Sequence, residues 1–595
     1  MITIMANVIG KLWRRFVYLW DWNSAIPFWV IALMLGLIQV WANRFYMGND
    51  GVPYLDMANA YLRGDWHTAL NGYWNPLYAW LIGLDFLIFR PSPYWEYPAV
   101  ELLNFAIYAA TVASFEYFLR GWLARRREDE VALRVVAYGL FLWSSLILIG
   151  VWTVNADMLV AACVYAALGL LLRTYNGKTA SALTPVILGV TLATGYYSKA
   201  AMFPISLVLL LIAGVVLRWR RALIAALVFG LLSAPLVAGI SKTTGHLTFS
   251  DTGRLNYAWF VNGVPHWFWQ GGPPVAGVAQ HPPRILLDSP RVYEFGGVFP
   301  EVTYPIWYDS SYWYQGLRMW IDPRLVASAV QTNLKSIILK LLARQGGAFL
   351  LGWGICFLFD RNKAQVLSNS GVLWPAWCAS IAAILLYSMV LVETRYVGAF
   401  AAVLLLTAFT ATRLPSKRVA VAIVVVGLVW AVIGSAGLTQ EARTHQGRSA
   451  PTNVSSQTAR GLQKLGLHAP NMWWQAATGL QKLGLRANDK VASVGWSNGS
   501  NVFWARLARA HIVAETDADF WRLSAEDQQR TLAALARSGA MMAVSDETPP
   551  SPALAVGWQQ AGSTHYYAYS LAQSLDPVQS AAIPLGVGPG RGGER

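Results

Sequence analysis

Charged residues are scarce in this sequence: 13% of its 595 residues are Asp, Glu, Lys or Arg, against about 25% in an ordinary soluble domain. Hydrophobic residues make up 55% of the chain. This balance argues against a soluble globular protein and against a disordered chain, and it is typical of a protein that crosses a membrane many times.

Cysteine is also rare, since the chain contains only Cys163, Cys356 and Cys378. All three lie in hydrophobic stretches, which excludes a disulfide framework and a cysteine-based metal site in the water-exposed segments. The metal-binding patterns HExxH, DxDxDG and CxxC are absent as well. We therefore expect no resident metal or other cofactor, while a divalent ion at a substrate phosphate stays open as an alternative.

Hydrophobic stretches long enough to cross a membrane recur along the first 437 residues. A hydrocarbon core about 30 Å thick needs roughly 20 apolar residues per helix. Eleven stretches fit this requirement: 25–41, 98–119, 135–152, 157–172, 182–197, 201–217, 222–241, 336–359, 371–391, 397–412 and 419–437. The sequence therefore predicts a polytopic α-helical membrane protein, with a transmembrane domain of about eleven helices over residues 1–437.

Basic residues lie in alternate loops, as the positive-inside rule requires of a correct set of spans. Clusters of Lys and Arg precede the first span and follow the second, fourth, sixth, eighth and tenth. These loops and the N-terminus are predicted to be cytoplasmic, so the loops 42–97 and 242–335 face the outer side. The arginine runs lie beside spans, where membrane lipids are their natural partners, and no nucleic-acid binding is predicted from the net charge of +15.

The composition changes after the last predicted span. Residues 438–488 are polar and contain the heptapeptide GLQKLGL twice, at 461–467 and at 479–485. Two copies with a period of 18 residues are too few and too short for a solenoid. We interpret the segment as a linker of two similar amphipathic helices.

Residues 489–575 alternate strand patterns with helix patterns, which predicts a small α/β domain. Ser524 and Asp527 have the spacing of a capping box, and Gly539 suits the end of the same helix. The turn GWSNGSN after the first strand lacks the spacing GxGxxG, which argues against nucleotide binding there. The tail 576–595 is rich in Pro and Gly and is predicted to be disordered.

The segment after the first span carries several aspartates in an otherwise apolar chain. Its sequence is NDGVPYLDMANAYLRGDWHTALNGYWNPLY. Asp50 lies where the membrane surface meets water, and a partly desolvated carboxylate there suits a general base. The alternative interpretation is a helix cap, because Asn and Asp are favoured before helices. Asp56, Ala60 and Tyr61 follow at helical spacing and predict an amphipathic helix lying on the membrane.

An outward aspartate after the first span, a surface helix, the tripeptide GDW and an aromatic run with proline together resemble the GT-C superfamily. These membrane glycosyltransferases use polyprenyl-phosphate sugars, and they include lipid A aminoarabinose transferases and protein O-mannosyltransferases. The order of spans, outer loops and C-terminal soluble domain is also similar to theirs. The resemblance implies transfer of a sugar from a polyprenyl-phosphate donor to a glycan, lipid or protein acceptor. It also implies a bacterial inner membrane, with the C-terminal domain in the periplasm.

The resemblance implies that the first-loop aspartate is the general base, which is Asp50 in this sequence. Members of the superfamily often carry a second acid beside it, whereas Asn49 precedes Asp50 and Gly51 follows it here. Asp56 therefore remains the alternative base.

The leaving phosphate of such a reaction needs cations, and two lie at the outer ends of predicted spans. Lys199 stands in TGYYSKAAMFP and Arg395 in LVETRYVGAF. Arg suits bidentate contact with phosphate, and Lys supplies a point charge. The alternatives are that Lys199 only snorkels to the interface and that Arg395 forms a structural ion pair with Glu393.

Further residues on the predicted outer side complete the set of candidate substrate-binding residues. They are Glu393, Tyr396, His67, Trp74, Tyr196, Tyr197, His281 and Arg284. Aromatic rings at this depth either form a membrane-interface belt or stack against sugar rings. Asn155 and Asp157 begin the fourth span, and they either cap it or contact the sugar.

Two other functions stay open at this point. A transporter or lipid flippase would carry polar groups near mid-membrane, whereas most spans here are plain Leu, Val and Ala. Glu116, near the inner end of the second span, is the polar residue that this pattern does not explain. A noncatalytic envelope-assembly protein would use the C-terminal α/β domain to bind a partner.

Overall fold

A computed structural model of the chain describes residues 25–48, 50–123, 130–175, 181–264, 284–295, 301–312, 319–359, 373–412, 471–495, 497, 500–516, 519–551 and 554–571. The predicted last span at 419–437, the first GLQKLGL copy, His281 and the tail 576–595 lie outside these ranges. The chain forms two compact units, one of Met1–Pro282 and Asp309–Pro470, the other of Pro283–Tyr308 and Asn471–Arg595.

The first unit is a many-helix membrane domain. Seven of its described helical segments are long and apolar enough to cross a membrane: Ile26–Asn43, Pro93–Leu123, Val131–Ile149, Asp157–Tyr175, Trp219–Thr244, Pro323–Arg344 and Thr394–Ala411. Shorter apolar helices are Pro76–Phe89, Met202–Val216, Gly347–Leu358 and Trp374–Ser388. The remaining helices are Gly51–Arg63, Trp66–Ala69, Thr184–Ser198 and Thr252–Phe260. The predicted multi-pass α-helical fold is thus confirmed.

The predicted outer loop 42–97 contains two helices that position its polar residues. Gly51–Arg63 ends at Gly64, whose φ of +73° is a left-handed conformation that glycine adopts without strain. The prediction laid this helix on the membrane surface, but most of its side chains are buried. The helix Pro76–Phe89 follows, with 14 residues, fewer than the roughly 20 that a membrane span needs.

The span predicted at 336–359 differs most from the structure. A helix Pro323–Leu341 begins 13 residues earlier, and a wider π-helical turn, Leu342–Gly346, joins it to Gly347–Phe359. The polar residues Arg324, Gln331 and Asn333 interrupt the first part of Pro323–Leu341, so the more continuous apolar stretch of the sequence begins later. Of its side chains only Ile337 is buried, because the helix lies at the periphery of the described bundle.

Glu116, the polar residue that the pattern of the spans does not explain, lies at the centre of a group of ion pairs inside the membrane unit. One oxygen accepts from Arg120 Nε at 2.9 Å, both oxygens accept from Arg134 Nη1 at 3.0 and 3.1 Å, and Tyr138 Oη donates at 2.8 Å. The side chains of Glu116 and Arg134 are 3% and 7% exposed. Every donor around the carboxylate is thus provided by this chain, which favours a structural role for Glu116.

Replacing Glu116 with leucine is expected to destabilise the membrane unit strongly. It removes the carboxylate to which Arg134 and Tyr138 donate in the buried part of the unit, and breaking a buried ion pair by removing one partner costs about 3–5 kcal/mol. The midpoint of thermal unfolding in detergent should fall by several degrees, and the double change Glu116→Leu with Arg134→Met should recover much of the loss. A single variant as stable as the wild type would contradict the buried pairing.

The second unit is the predicted α/β domain, built around one mixed sheet. Its strands are β1 (Arg284–Asp288), β2 (Arg291–Glu294), β3 (Lys490–Val494), β4 (His511–Thr516), β5 (Met542–Ser545), β6 (Trp558–Gln560) and β7 (Tyr567–Ser570), in the order β1-β2-β4-β3-β5-β7-β6. Strands β4, β3 and β5 are parallel and the others antiparallel. Its described α-helices are Pro305–Tyr308, Met472–Lys482, Ser500–Ala508 and Ala525–Arg537. Ser524 is confirmed as the N-cap, since its Oγ accepts from Asp527 N at 3.1 Å, and Ser524 Oγ also donates to Asp527 Oδ2 at 2.8 Å.

The sheet includes the hairpin of β1 and β2, which comes from the middle of the chain. Strand β2 pairs with β4, and its Val292 is fully buried in the core of the second unit. Ile512 N also donates to Thr303 O at 2.9 Å, which extends the pairing beyond the hairpin. The prediction assigned all of 242–335 to the membrane domain, whereas 283–308 belongs to the second unit because these backbone pairings tie it there.

Candidate active site

Four charged side chains from the ends of four helices meet in the first unit. Asp50 immediately precedes the helix Gly51–Arg63, and Lys199 immediately follows Thr184–Ser198. Asp157 and Arg395 lie in the first turns of their helices, Asp157–Tyr175 and Thr394–Ala411. Helix ends suit this purpose, because their side chains leave the bundle where the apolar core stops.

The four charges alternate in sign along a continuous chain of contacts. Arg395 Nη2 lies 2.9 Å from Asp50 Oδ2, and Arg395 Nε lies 3.5 Å from Asp157 Oδ2. Asp157 Oδ1 is ion-paired with Lys199 Nζ. Two carboxylates and two cations leave this ion cluster of Asp50, Arg395, Asp157 and Lys199 with a formal charge of zero.

The members of the ion cluster differ in depth. Asp157 is 2% exposed and lies at its base, whereas Asp50, Arg395 and Lys199 are 27%, 30% and 24% exposed. Burial lowers the pKa of Lys199, and Arg395 lowers it further, while Asp157 acts in the opposite direction. Lys199 therefore loses its proton at a lower pH than an ordinary lysine does.

Aromatic rings support the two cations. Lys199 Nζ lies 3.7 Å from the ring centroid of Tyr396, which is a cation–π distance. Tyr396 stacks on Tyr387 with 5.3 Å between centroids, and Arg395 Nη2 is 3.5 Å from Tyr396 Oη. The rings restrict the rotamers of both cations.

A second group of rings, Tyr54, Tyr73 and Trp74, forms an aromatic wall near Asp50. Trp74 contacts Tyr54 and Tyr73 edge to face, with centroids 5.4 and 4.9 Å apart. Burial raises the pKa of Tyr54, and the negative charges of Asp50 and Asp157 raise it further. Burial likewise raises the pKa of Tyr73, with additional contributions from Tyr396 and Asp50. Both phenols therefore stay protonated beside the ion cluster.

The alternative interpretations of the charged residues can be compared with these contacts. Asp50 occupies the N-cap position of its helix, but its side chain makes no capping hydrogen bond and contacts Arg395 instead. The structural pair of Arg395 with Glu393 was wrong as an expectation, because Glu393 Oε1 accepts from Lys340 Nζ at 3.0 Å. Glu393 precedes the helix on which Arg395 lies, and its side chain pairs with Lys340 of the helix Pro323–Leu341.

Asp157 makes different contacts through its backbone and through its side chain, and only the backbone contact belongs to the start of the helix. Its backbone N–H donates to Asn155 Oδ1 at 2.9 Å, so Asn155 forms the local turn before the helix. The carboxylate of Asp157 is thereby free to contact Lys199 and Arg395. A pattern of Asn two residues before Asp at a helix start is the signal for this division, but it does not identify the distant cations.

The other candidate residues of the first unit lie around the cluster in different settings. Asp56 is 4% exposed, in the buried middle of the helix Gly51–Arg63. Tyr196 Oη donates to Phe249 O at 2.7 Å, and Tyr197 Oη donates to Leu232 O at 3.0 Å, so both hydroxyls are committed to backbone carbonyls. His67 is exposed on the short helix Trp66–Ala69.

Arg284 and His281 do not enter the described cluster. Arg284 belongs to the second unit, on strand β1, where its Nε donates to Glu294 Oε2 at 2.6 Å. His281 lies outside the described residues. Sequence reasoning also missed Tyr54, Tyr73 and Tyr387, because an aromatic residue near a span end is typical of an interface belt as well.

Within the described ranges, no group of three or more His, Cys, Asp or Glu side chains is arranged to hold a metal ion.

No protein-family model and no curated relative matches the chain. Solved structures do. ArnT from Cupriavidus metallidurans in the apo state has 14% sequence identity and a TM-score of 0.49, over 92% of this chain and 99% of that protein. The same protein bound to undecaprenyl phosphate has 12% identity and a TM-score of 0.48, over 92% and 98%. An Archaeoglobus fulgidus oligosaccharyltransferase in complex with Zn and sulfate has 14% identity and a TM-score of 0.46, over 90% and 70%.

ArnT and the archaeal oligosaccharyltransferase are both GT-C membrane glycosyltransferases, the superfamily that the sequence resembles. At these identities and TM-scores the likeness describes the course of the chain, and it carries no information on substrate or catalytic residues.

Proposed function

We propose that this protein is a GT-C type membrane glycosyltransferase that moves a sugar from a polyprenyl-phosphate donor to an outer-surface glycan, lipid or protein. The observation that carries the proposal is the ion cluster. It combines a partly exposed carboxylate with two cations at the end of a helix bundle. Such a reaction needs a base for the acceptor hydroxyl and positive charge for the leaving phosphate.

In this mechanism Asp50 takes the proton of the acceptor hydroxyl. The hydroxyl oxygen forms a bond to the anomeric carbon while the bond from that carbon to the phosphate oxygen breaks, so the configuration inverts. The bonding electrons leave with the lipid phosphate, which gains one negative charge. Arg395 and Lys199 would neutralise that charge, Arg395 through two parallel N–H donors and Lys199 as a point charge.

Asp50 is a better candidate for the base than Asp56. Its carboxylate is 27% exposed and borders the cations that would hold the phosphate. Asp56 is 4% exposed, within the buried part of the next helix. A base must come within hydrogen-bonding reach of the proton that it removes, which favours the more accessible carboxylate.

The contact between Arg395 and Asp50 has a consequence for the order of events. Arg395 Nη2 donates to Asp50 Oδ2 at 2.9 Å, so the carboxylate is engaged by a cation in the absence of donor. A donor phosphate would compete with Asp50 for Arg395. Donor binding would therefore release the Asp50 carboxylate to contact the acceptor hydroxyl only when the sugar is in place.

The aromatic wall and the sidedness of the ion cluster support the rest of the proposal. Tyr54, Tyr73 and Trp74 pack against one another near Asp50, and Tyr73 is the partly exposed ring of the three, which would stack against the C–H face of a sugar. A lipid-linked donor suits an active site on the outer side, where nucleotide sugars are not supplied. We accordingly propose a bacterial inner membrane, with the N-terminus cytoplasmic and the α/β domain periplasmic.

Transport loses support from the same contacts. Glu116, the main polar residue of the spans that the sequence pattern does not explain, is engaged by Arg134, Arg120 and Tyr138. The ion cluster lies at helix ends, whereas transporters hold their substrates near mid-membrane.

The test is direct binding of radiolabelled short-chain polyprenyl phosphate to the purified full-length protein in detergent. Saturable binding that unlabelled polyprenyl phosphate displaces, and that a polyprenol without phosphate does not, is the expected result. Absence of saturable binding by the wild type would refute the proposed donor and return transport and assembly to first place.

A further inference from the structure

His246 contacts two groups that can only accept hydrogen bonds. Its Nδ1 lies 3.1 Å from Thr244 O, and its Nε2 lies 3.0 Å from Asp251 Oδ1. A carbonyl oxygen and a carboxylate oxygen both need a donor, so the ring makes both bonds when each nitrogen carries a proton. The geometry therefore fits the imidazolium cation. Both nitrogens are then engaged by protein acceptors, which argues against a catalytic dyad.

The carboxylate that faces His246 is buried and needs positive charge. Asp251 is 1% exposed, while His246 is 35% exposed and open to proton exchange with water. Arg254 Nη2 lies 3.7 Å from the same Asp251 oxygen. Within the described segments 241–262 and 309–312, the other charged residues are Lys242, in the last turn of the preceding helix, and Asp309. His246 is thus a titratable partner in direct hydrogen-bond contact with Asp251.

The segment that contains Asp251 holds the backbone of the loop before Trp74. Asp251 N and Ser250 Oγ both donate to Gly72 O at 2.9 Å, and Thr252 Oγ1 donates to Tyr73 O at 2.8 Å. A Cβ at position 72 would lie 3.2 Å from Asp251 Oδ2, so glycine allows this close approach. The segment that carries the Asp251 carboxylate is therefore joined to the loop backbone by three hydrogen bonds.

The loop leads directly into the aromatic wall. Tyr73 and Trp74 follow Gly72, and the charge of Asp50 contributes to the raised pKa of Tyr73 after burial and Tyr396. Tyr73 Oη also donates to Asn256 Oδ1 at 3.4 Å, on the helix that follows Asp251. A change at Asp251 thus reaches the candidate active site through two residues of backbone.

We infer that His246 is a positioning residue whose cationic form fastens the segment 250–252 to the loop 71–75 and so holds the aromatic wall beside Asp50. Loss of the proton from His246 removes one of its two hydrogen bonds and the charge that stabilises buried Asp251. The loop then loosens, and sugar transfer falls as the pH rises. We call this fastening of segment 250–252 to loop 71–75 by His246 the clasp. Its effect on transfer rests on the proposed function, whereas the clasp itself does not.

The test of the clasp is hydrogen exchange of the peptide that contains residues 71–75, in the full-length protein without substrate. Wild type, His246→Arg and His246→Gln are compared at about pH 5.5 and about pH 8.5, on either side of the range in which histidines ordinarily titrate. At each pH the variants are compared with one another, which cancels the intrinsic pH dependence of exchange.

At the lower pH the wild type is expected to match the permanently cationic His246→Arg, while His246→Gln exchanges about tenfold faster. At the higher pH the wild type should join His246→Gln, and His246→Arg should stay slow. Lys242→Gln changes a charge on the same helix end without touching the clasp, and it should follow the wild type at both values. If His246→Gln fails to fold, the comparison of wild type with His246→Arg still shows whether exchange of the 71–75 peptide in the wild type becomes faster at the higher pH.

Exchange in the wild type that follows His246→Arg at both pH values would overturn the loss of the clasp at the higher pH, and His246→Gln that matches the wild type at the lower pH would overturn the clasp itself. The transfer assay then separates the two proposals, because His246→Arg should keep its activity at the higher pH where the wild type loses it. A protein with the expected exchange pattern but without polyprenyl-phosphate binding would refute the proposed donor and leave the clasp standing. A protein that binds polyprenyl phosphate but whose exchange does not respond to the His246 variants would refute the clasp and leave the proposed donor standing.

Discussion

Replacing Asp50 with asparagine is expected to abolish sugar transfer while tightening the binding of polyprenyl phosphate. The loss of transfer follows from the proposed base, because an amide cannot accept the proton of the acceptor hydroxyl. Removing a general base typically lowers the rate by about 100- to 10,000-fold. The measurement is transfer from a synthetic polyprenyl-phosphate sugar under single-turnover conditions, with lipid binding measured in parallel.

The tighter binding follows from the competition for Arg395. In the structure its guanidinium donates to Asp50 at 2.9 Å, so a phosphate must displace that contact. Asparagine removes the competing negative charge from the site and keeps nearly the same volume. We expect the dissociation constant for polyprenyl phosphate to fall by about three- to tenfold, which corresponds to about 0.7–1.4 kcal/mol.

Asp56→Asn is the matched comparison for this experiment, since it makes the same chemical change six residues along the chain. It should leave lipid binding unchanged, and transfer should persist in any variant that still folds. Loss of transfer in Asp56→Asn with retention in Asp50→Asn would make Asp56 the base. Weaker lipid binding in Asp50→Asn than in the wild type would mean that Asp50 supports Arg395, and it would contradict the proposed exchange of partners.

Three of the four members of the ion cluster could be predicted from the sequence as candidates for one outer site. Asp50, Lys199 and Arg395 each follow or begin a predicted span on the same side, and the alternation of basic loops identifies that side. What could not be predicted is which of these side chains contact one another. Asp50 and Arg395 are 345 positions apart, and no local pattern carries such a pairing.

The same limit explains the differences in the fold. Strands β3, β4 and β5 and the helices between them were predicted, because each has its own local pattern and cap. The hairpin of β1 and β2 belongs to their sheet through hydrogen bonds to β4, more than 200 residues away in sequence. His246 and Asp251 were missed for a related reason, since a histidine and an aspartate five residues apart in a loop match no motif.

Replacing Arg395 with glutamine should have the second-largest effect, on both lipid binding and transfer. Arg395 contacts both carboxylates of the cluster, and it is the donor best suited to a phosphate diester. We expect the affinity for polyprenyl phosphate to fall by about 10- to 100-fold, in the range of a lost charged hydrogen bond. Transfer should fall by about 100- to 1000-fold, because the charge that develops on the leaving phosphate loses a fixed donor. Arg395→Lys should lie between these values, since it keeps the charge and loses the bidentate geometry.

Lys340→Gln is the matched control, since it also removes one outer-side cation from an ion pair. Lys340 and Glu393 are 40% and 41% exposed, and exposed pairs of this kind contribute about 0–1 kcal/mol. The control variant should bind the lipid and transfer sugar like the wild type. Equal losses in Lys340→Gln and Arg395→Gln would show that the general positive potential of the outer face attracts the lipid. A loss confined to Arg395→Gln requires a specific phosphate contact, because both variants change the net charge by the same amount.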